Sequence, residues 1–304
     1  MTQGPSRLWA AVSAMTALDG AANRMLASTS PMRLGQTDPS SSVLGGFLNA
    51  LMLSAAQRFA AAEFGPGRFP DPVHAFVQFL KMVPPGGVVV TCDALRVSSR
   101  QCVVKVELAG SVEASAATAT VGIITLGDIS KEAGLSQPSQ SAVCTPPAPP
   151  NRETECVTID DPVVDATPVT SKLNWVAPRS PDGLWGHRLG GHHREVWVSF
   201  RDGSSIDDMY HLALLSDMPL QPPATHQAGF YLRYALSTLC LTVEFKKRPD
   251  PSTRWVMIRS NSHQVSNGRY DVNIQILDEG GDLLALSNHV LYISELRPRS
   301  KAKM

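Results

Sequence analysis

The residue whose type and position first point to chemistry is Asp217. It lies in SIDDMYHLALLSDMPL, Ser205 to Leu220, where Ser205 is suited to cap a helix and Asp207 and Asp208 fall in a first turn that favours acids. Ile206, Met209, Tyr210, Ala213 and Asp217 follow helical spacing, which sets the Asp217 carboxylate on the stripe that faces a core. A carboxylate there is costly to bury without a partner or a task. The competing reading is an ordinary acid at a fraying helix end. Pro219, Pro222 and Pro223 then stop the helix.

Other chemistry-bearing groups carry less. His187, His192 and His193 sit in the Gly-rich LWGHRLGGHHREV, with no Cys or carboxylate at metal-site spacing, and adjacent histidines rarely share one ion. No metal is expected there; Arg188 and Arg194 could instead meet a phosphate or carboxylate at a site entrance. Asp71 and His74 in FPDPVHAF form an acid and histidine pair, but Asp-Pro before a strand is ordinary turn chemistry. The structural reading is preferred. Neither a GxSxG elbow nor a phosphate-binding glycine loop occurs, which argues against an α/β serine hydrolase or a nucleotide enzyme.

The elements that must position these groups are those of a globular chain. Its 304 residues are 43% hydrophobic, enough for about two domains with real cores. Lys+Arg and Asp+Glu balance at 27 each, leaving no basic field for nucleic acid or an anionic membrane. Five cysteines, with no CxxC pair, fit a reduced, cytoplasmic setting. Trp9 to Leu18 lacks the charged start and cleavage site of a signal peptide, no run is long enough to span a bilayer, and the terminal SKAKM carries no targeting motif.

Ser6 to Leu18 reads as a short helix and Asn23 to Arg33 as a strand, before a polar loop at Gln36 to Ser42. GGFLNALMLSAAQRFAAAE is rich in Ala and Leu, and Arg58 is its only charge before Glu63; such a helix is buried nearly all round. Asn49 is the only polar side chain in its first half and could hydrogen-bond in a pocket. Strands are expected at Val73 to Leu80, Val88 to Val97, Gln101 to Leu108 and Ala114 to Leu126. After a Pro/Ser/Thr-rich stretch that includes CTPPAPP at Cys144 to Pro150, they recur at Glu195 to Phe200, Leu236 to Lys246, Trp255 to His263, Arg269 to Leu277 and Leu283 to Ile293.

The chain therefore reads as a duplication. VQFLKMVPPG at Val77 to Gly86 resembles VEFKKRPDP at Val243 to Pro251, and Cys102, Val104, Val106 and Leu108 alternate as Tyr270, Val272, Ile274 and Ile276 do. The expected units are residues 1–129 and 183–304, joined by a linker at 130–182 with one docked strand.

A long helix wrapped by an antiparallel sheet, twice in one chain, resembles the double hotdog of the acyl-CoA thioesterase family, an α+β fold. GGFLNALML at Gly45 to Leu53 resembles that family's Gly-Gly helix opening, HAFVQFLKMVPPG its central strand, EVWVSFRDG the start of its second unit, and HLALLSDMPL its second helix. The resemblance implies an aspartate, a threonine and a glutamine that orient and activate water. Asp217 matches the aspartate and Thr238, in YALSTLCLTVEF, the threonine. Strict alternation instead turns Ser237 toward Leu239, Leu241, Val243 and Phe245, so Ser237 competes for that hydroxyl role. His289, in LALSNHVLYI, stands where the family has glutamine.

What this implies is an acyl-thioester hydrolase with catalytic Asp217, Thr238 and His289 and with Gly46, Asn49 and Ser237 at the substrate, needing no metal and no cofactor. His289 could hold water as the amide would, or act as base with Asp217 orienting it. The alternatives are a non-hydrolytic hotdog enzyme that dehydrates, isomerises or cyclises a polyketide-like acyl chain, and a non-catalytic acyl-binding protein. The expected partner is acyl-CoA or a carrier-bound acyl thioester; two fused units already make one hotdog pair, and any homo-oligomer would use further exposed surface. With no acid on its helix before Glu63 at the far end, the first unit is expected to lack catalytic power.

Overall fold

Cys102, Val104, Val106 and Leu108 are each 0% exposed, and Tyr270, Val272, Ile274 and Ile276 at most 2%, as period-two strands packed on one face require. The computed structural model describes residues 7–18, 20–29, 42–110, 117–136, 148–165, 168–179, 183–184, 187–188, 190–218, 222–227 and 229–296. The loop at 36–41, Cys144, Pro219 and SKAKM lie outside the described residues.

The first half contains helix α1 (Arg7–Ser13), strands β1 (Thr16–Ala17) and β2 (Arg24–Ser28), helix α2 (Gly45–Phe64), and strands β3 (Asp71–Phe79), β4 (Gly87–Val97), β5 (Cys102–Ala109) and β6 (Thr118–Gly127). The middle holds β7 (Cys156–Thr158), β8 (Leu173–Pro178) and the small β9 (Gly183–Leu184) and β10 (His187–Arg188). The second half runs β11 (His193–Phe200), α3 (Met209–Leu215), α4 (Phe230–Arg233), β12 (Tyr234–Phe245), β13 (Val256–Asn261), β14 (Val265–Ser266), β15 (Arg269–Leu277) and β16 (Leu283–Glu295).

One antiparallel sheet takes the order β1-β2-β4-β5-β6-β3-β12-β16-β15-β13-β11-β8-β7, with β14 on β15. Strand, helix and four strands thus recur in the same spatial order, and β3 and β12 form the seam by pairing Val77 with Leu241 and Ala75 with Val243. The Pro-rich stretch supplies two sheet strands, β7 and β8, where composition marks one; β8 pairs with β11.

Helix α2 buries thirteen of its twenty residues, because it is enclosed by sheet on one side and α3 on the other. Gly46 abuts Leu214 at one end while the Tyr210 hydroxyl donates to Gln57 Oε1 at 2.8 Å at the other, so the two helices run antiparallel. Helix α3 is shorter than its spacing implies. Its cap is Asp208, whose side chain accepts the His211 N–H at 2.9 Å, and not Ser205, which is buried ahead of the helix. Asp and Ser cap about equally well, so the backbone path decides between them.

Candidate active site

Asp217 sits just beyond α3 and is 7% exposed, as its place on the apolar stripe implies. Its Oδ2 accepts the backbone N–H of Gly46 at 2.7 Å. That bond explains why α2 starts at Leu44 without a side-chain cap of its own: a carboxylate from the other half serves the positive end of the helix. The approach needs glycine, since a Cβ at Gly46 would lie 2.5 Å from the Leu214 carbonyl oxygen.

The other oxygen, Oδ1, faces the two remaining candidates. Thr238 Oγ1 donates to it across 3.5 Å, and His289 Nδ1 lies 3.7 Å away. Thr238 reaches it because β12 bulges at Leu239: Thr238 pairs with Leu291 and Cys240 with Val290, so one residue drops out of the alternation. Ser237 is exposed at the rim of a cavity and does not turn to Asp217, contrary to strict alternation. His289 is 3% exposed on β16, with Nε2 at 2.7 Å from Ser287 Oγ.

Burial pushes the Asp217 carboxyl up from 3.8 to about 7, against the Gly46 and Thr238 hydrogen bonds that favour its ionised form. Burial likewise holds His289 down at about 4, partly offset by a bond to the Ser216 backbone. Near neutrality the imidazole is therefore neutral, and the stronger proton acceptor of the pair is the carboxylate.

Asp217 and Thr238 open on a cavity of about 470 Å³, walled mainly by Leu44, Gly45, Leu48, Phe79 and Leu236 and by three tyrosines, Tyr231, Tyr234 and Tyr292. Gly46 touches Asp217 rather than the cavity, and Asn49, 0% exposed, is absent from the cavity wall. The tyrosines and Ser287 escape sequence reasoning, although Ser287, two residues before His289 on an alternating strand, carries the signal of a shared face.

The remaining candidates are structural. The Asp71 carboxylate takes Arg248 at 2.7 and 2.6 Å and the Ile129 N–H at 2.8 Å, tying β3 to the second half. Arg194 is 1% exposed, beside the Tyr231 hydroxyl, so it does not stand at a solvent entrance. His192 stacks edge-on to His226 and His193 meets Asn261. Among the described residues the one grouping with metal-ligand proximity is Asp207, Asp208 and His211, the cap of α3.

The duplication lets each site residue be matched to its counterpart. Pro72 pairs with Leu126 beside a bulge at Val73, as Thr238 pairs with Leu291 beside Leu239; Ala75 pairs with Ile124 as Leu241 does with His289; Val77 pairs with Gly122 as Val243 does with Ser287. The first half thus holds Pro72, Ile124 and Gly122 where the second holds Thr238, His289 and Ser287. None of these three can donate a side-chain hydrogen bond.

Among the described residues no helix is long and apolar enough to cross a membrane. In overall shape the chain is similar to a conserved protein with hot dog fold from Alicyclobacillus acidocaldarius, at 16% identity and TM-score 0.71 over 95% of this chain and 99% of that one. It is likewise similar to acyl-CoA thioesterase II TesB2 from Mycobacterium marinum, at 16% identity and TM-score 0.67 over 96% and 99% of the two chains. These likenesses establish the double hotdog fold. The thioesterase-like protein TwmA of Talaromyces wortmannii is 33% identical over 57 residues, which span 18% of this chain and 16% of that protein. The acyl-CoA thioesterase N-terminal domain matches residues 33–124 and the C-terminal domain residues 146–293. With both domains present in order on a double hotdog, the chain belongs to the acyl-CoA thioesterase family of thioester hydrolases.

Proposed function

We propose that this protein hydrolyses an acyl thioester with Asp217 as general base and with Thr238 and His289 holding the water. The observation that carries the reading is the buried Asp217 carboxylate, raised to about 7, which lines an apolar cavity beside Thr238 and turns Oδ1 to Thr238 and to His289 buried behind it. A base works best when its pKa lies near the working pH. Asp217 takes a proton from water through Oδ1; the Thr238 hydroxyl and the His289 ring fix the water from two sides. The acyl chain lies along Phe79, Leu236 and the tyrosines, and the thioester carbonyl meets the positive end of α2 at Gly45, where developing negative charge is favoured. Gly46, Asn49 and Ser237 have lesser parts: Gly46 holds the base, Asn49 packs in the core, and Ser237 borders the substrate.

The two units divide at 1–129 and 183–304, with 130–182 as a linker that lends strands to the second. The carrier is CoA, with a protein-bound pantetheine as the variant form. The free Cys92, Cys102, Cys156 and Cys240 support a reducing, cytoplasmic setting. A second reading, proton abstraction from the acyl chain by His289, draws on the close His289 and Asp217 pair. It is the weaker one, because burial leaves His289 the poorer base.

The test is release of free thiol from short, long and aromatic acyl-CoA substrates by the intact protein, Asp217→Ala and His289→Gln. Release that vanishes in Asp217→Ala and persists in His289→Gln supports the reading. No release from any substrate by folded protein sinks it.

A further inference from the structure

We infer that Ser287 is a positioning residue that fixes the tautomer of His289 and, through it, the proton affinity of Asp217. The inference rests on the hydrolytic reading of Asp217. Ser287 is 1% exposed, with Oγ 2.7 Å from His289 Nε2. The two residues lie on one face of β16, which is paired on both sides, with β12 and β15, so the strand cannot slide to break the contact. It does not line the cavity, so it is no nucleophile.

A neutral imidazole carries one N–H. Its Nδ1 is buried with no hydrogen-bond partner among the described residues and faces Asp217 Oδ1 at 3.7 Å, so the proton belongs on Nδ1, turned to that acceptor. Nε2 is then an acceptor and needs a donor, which the Ser287 hydroxyl supplies. Donation runs in one direction, from Ser287 to His289 and from His289 toward Asp217. A donor aimed at the carboxylate favours its ionised form. The opposite tautomer would put a lone pair in front of Oδ1 and disfavour ionisation.

Few other charges bear on the pair. From β15 the Tyr270 hydroxyl lies within electrostatic reach of Asp217, and behind it stand Arg194 of β11 and Tyr231 of α4. The charged residues of α2, Arg58 and Glu63, are at its far end. The first half has Gly122 and Ile124 at the positions of Ser287 and His289, so this relay occurs once in the duplicated fold.

The experiment compares intact protein, Ser287→Ala and Ser287→Thr by ¹⁵N NMR of the His289 ring and by the pH profile of acyl-CoA hydrolysis. The Nδ1–H tautomer is expected in the intact protein and in Ser287→Thr, and a mixture in Ser287→Ala. Ser287→Ala should lower kcat about tenfold with KM held, move the acid limb of the profile to higher pH, and be rescued by Ser287→Thr. An unchanged tautomer or an unchanged acid limb in Ser287→Ala overturns the inference. Should no acyl-CoA be hydrolysed, the NMR arm decides alone: a tautomer change then upholds Ser287's positioning of His289 while the hydrolytic reading fails.

Discussion

Asp217 Oδ2 accepts the Gly46 N–H at 2.7 Å, so one carboxylate both closes the start of α2 and presents its second oxygen to Thr238 and His289. The Asp217 carboxylate is thereby anchored to the opposite half of the duplicated fold. Its position follows the packing of α2 on α3.

On the proposed reading of Asp217 as base, replacing it should separate chemistry from structure. Asp217→Asn keeps the size, and its amide oxygen can still accept the Gly46 N–H, but it has no charge to take a proton. A loss of kcat of about a thousandfold is expected, with circular dichroism unchanged. In the intact protein, activity should rise with pH through about 7, since the carboxylate must be ionised to act. A rate independent of pH between 6 and 8 would count against Asp217 as base.

The same shifts set the pH dependence of stability. The folded state holds the Asp217 proton more tightly than the unfolded chain, so this group's stabilisation is full below pH 3.8 and falls as pH rises to about 7. His289 acts oppositely: its depressed value, about 4, gives stability above pH 6.5 that is lost on acidification toward 4. The two slopes offset each other between about 4 and 6.5, and only Asp217 is left above that window. Asp217→Asn should accordingly be more stable than the intact protein at pH 8 by up to about 4 kcal/mol, seen as a higher Tm. Thermal melts across pH 4 to 8 check the sign.

Gly46→Ala should fail on geometry. Its Cβ would lie 2.5 Å from the Leu214 carbonyl oxygen and 3.0 Å from that of Ala213, neither of which is a yielding side-chain tip. A loss of about 2 kcal/mol is expected from the forced separation, together with reduced kcat, read by chemical denaturation and thiol release on one sample.

Much of the fold was legible because its signals are local. The Ala/Leu run of α2 and the alternation in β5 and β15 need no knowledge of partners. Asp217 was legible for the same reason, as an acid on an apolar stripe. The choice between Ser237 and Thr238 was not, because the bulge at Leu239 arises from pairing with β16, a strand some fifty residues away. The cap of α3 was misplaced to Ser205 because Asp208 is equally suited and only the tertiary path selects it. Gly46 reads as a substrate contact in sequence and proves to be the close approach of two helices.

The bulge offers its own test. Thr238→Val should cut kcat about tenfold with KM little changed, since a hydroxyl that orients water acts on the step and not on binding. Thr238→Ser should restore it. Ser237→Ala should move KM alone, because Ser237 borders the cavity without meeting Asp217. A kcat effect larger for Ser237→Ala than for Thr238→Val would reverse the assignment.

Asn49 gives a stability test. It is 0% exposed, and among the described residues neither its Oδ1 nor its Nδ2 has a hydrogen-bond partner. Burying both groups unsatisfied costs more than an apolar side chain of similar size would. Asn49→Leu should raise stability by about 1 kcal/mol, read as a higher denaturation midpoint. A lower midpoint would mean the amide has a use that its surroundings do not reveal.

Pro72, Ile124 and Gly122 have a consequence for stoichiometry. A pair of identical hotdog units would present two equivalent reaction centres by symmetry, whereas this duplicated chain has Thr238, His289 and Ser287 in one half and Pro72, Ile124 and Gly122 at the matching positions of the other; on the proposed reading, only one centre can act. A non-hydrolysable thioester should therefore saturate at one molecule per chain. The first half then contributes through the packing of α2 and the seam with β12, where a side chain is held by how it fills the core and not by any proton it carries.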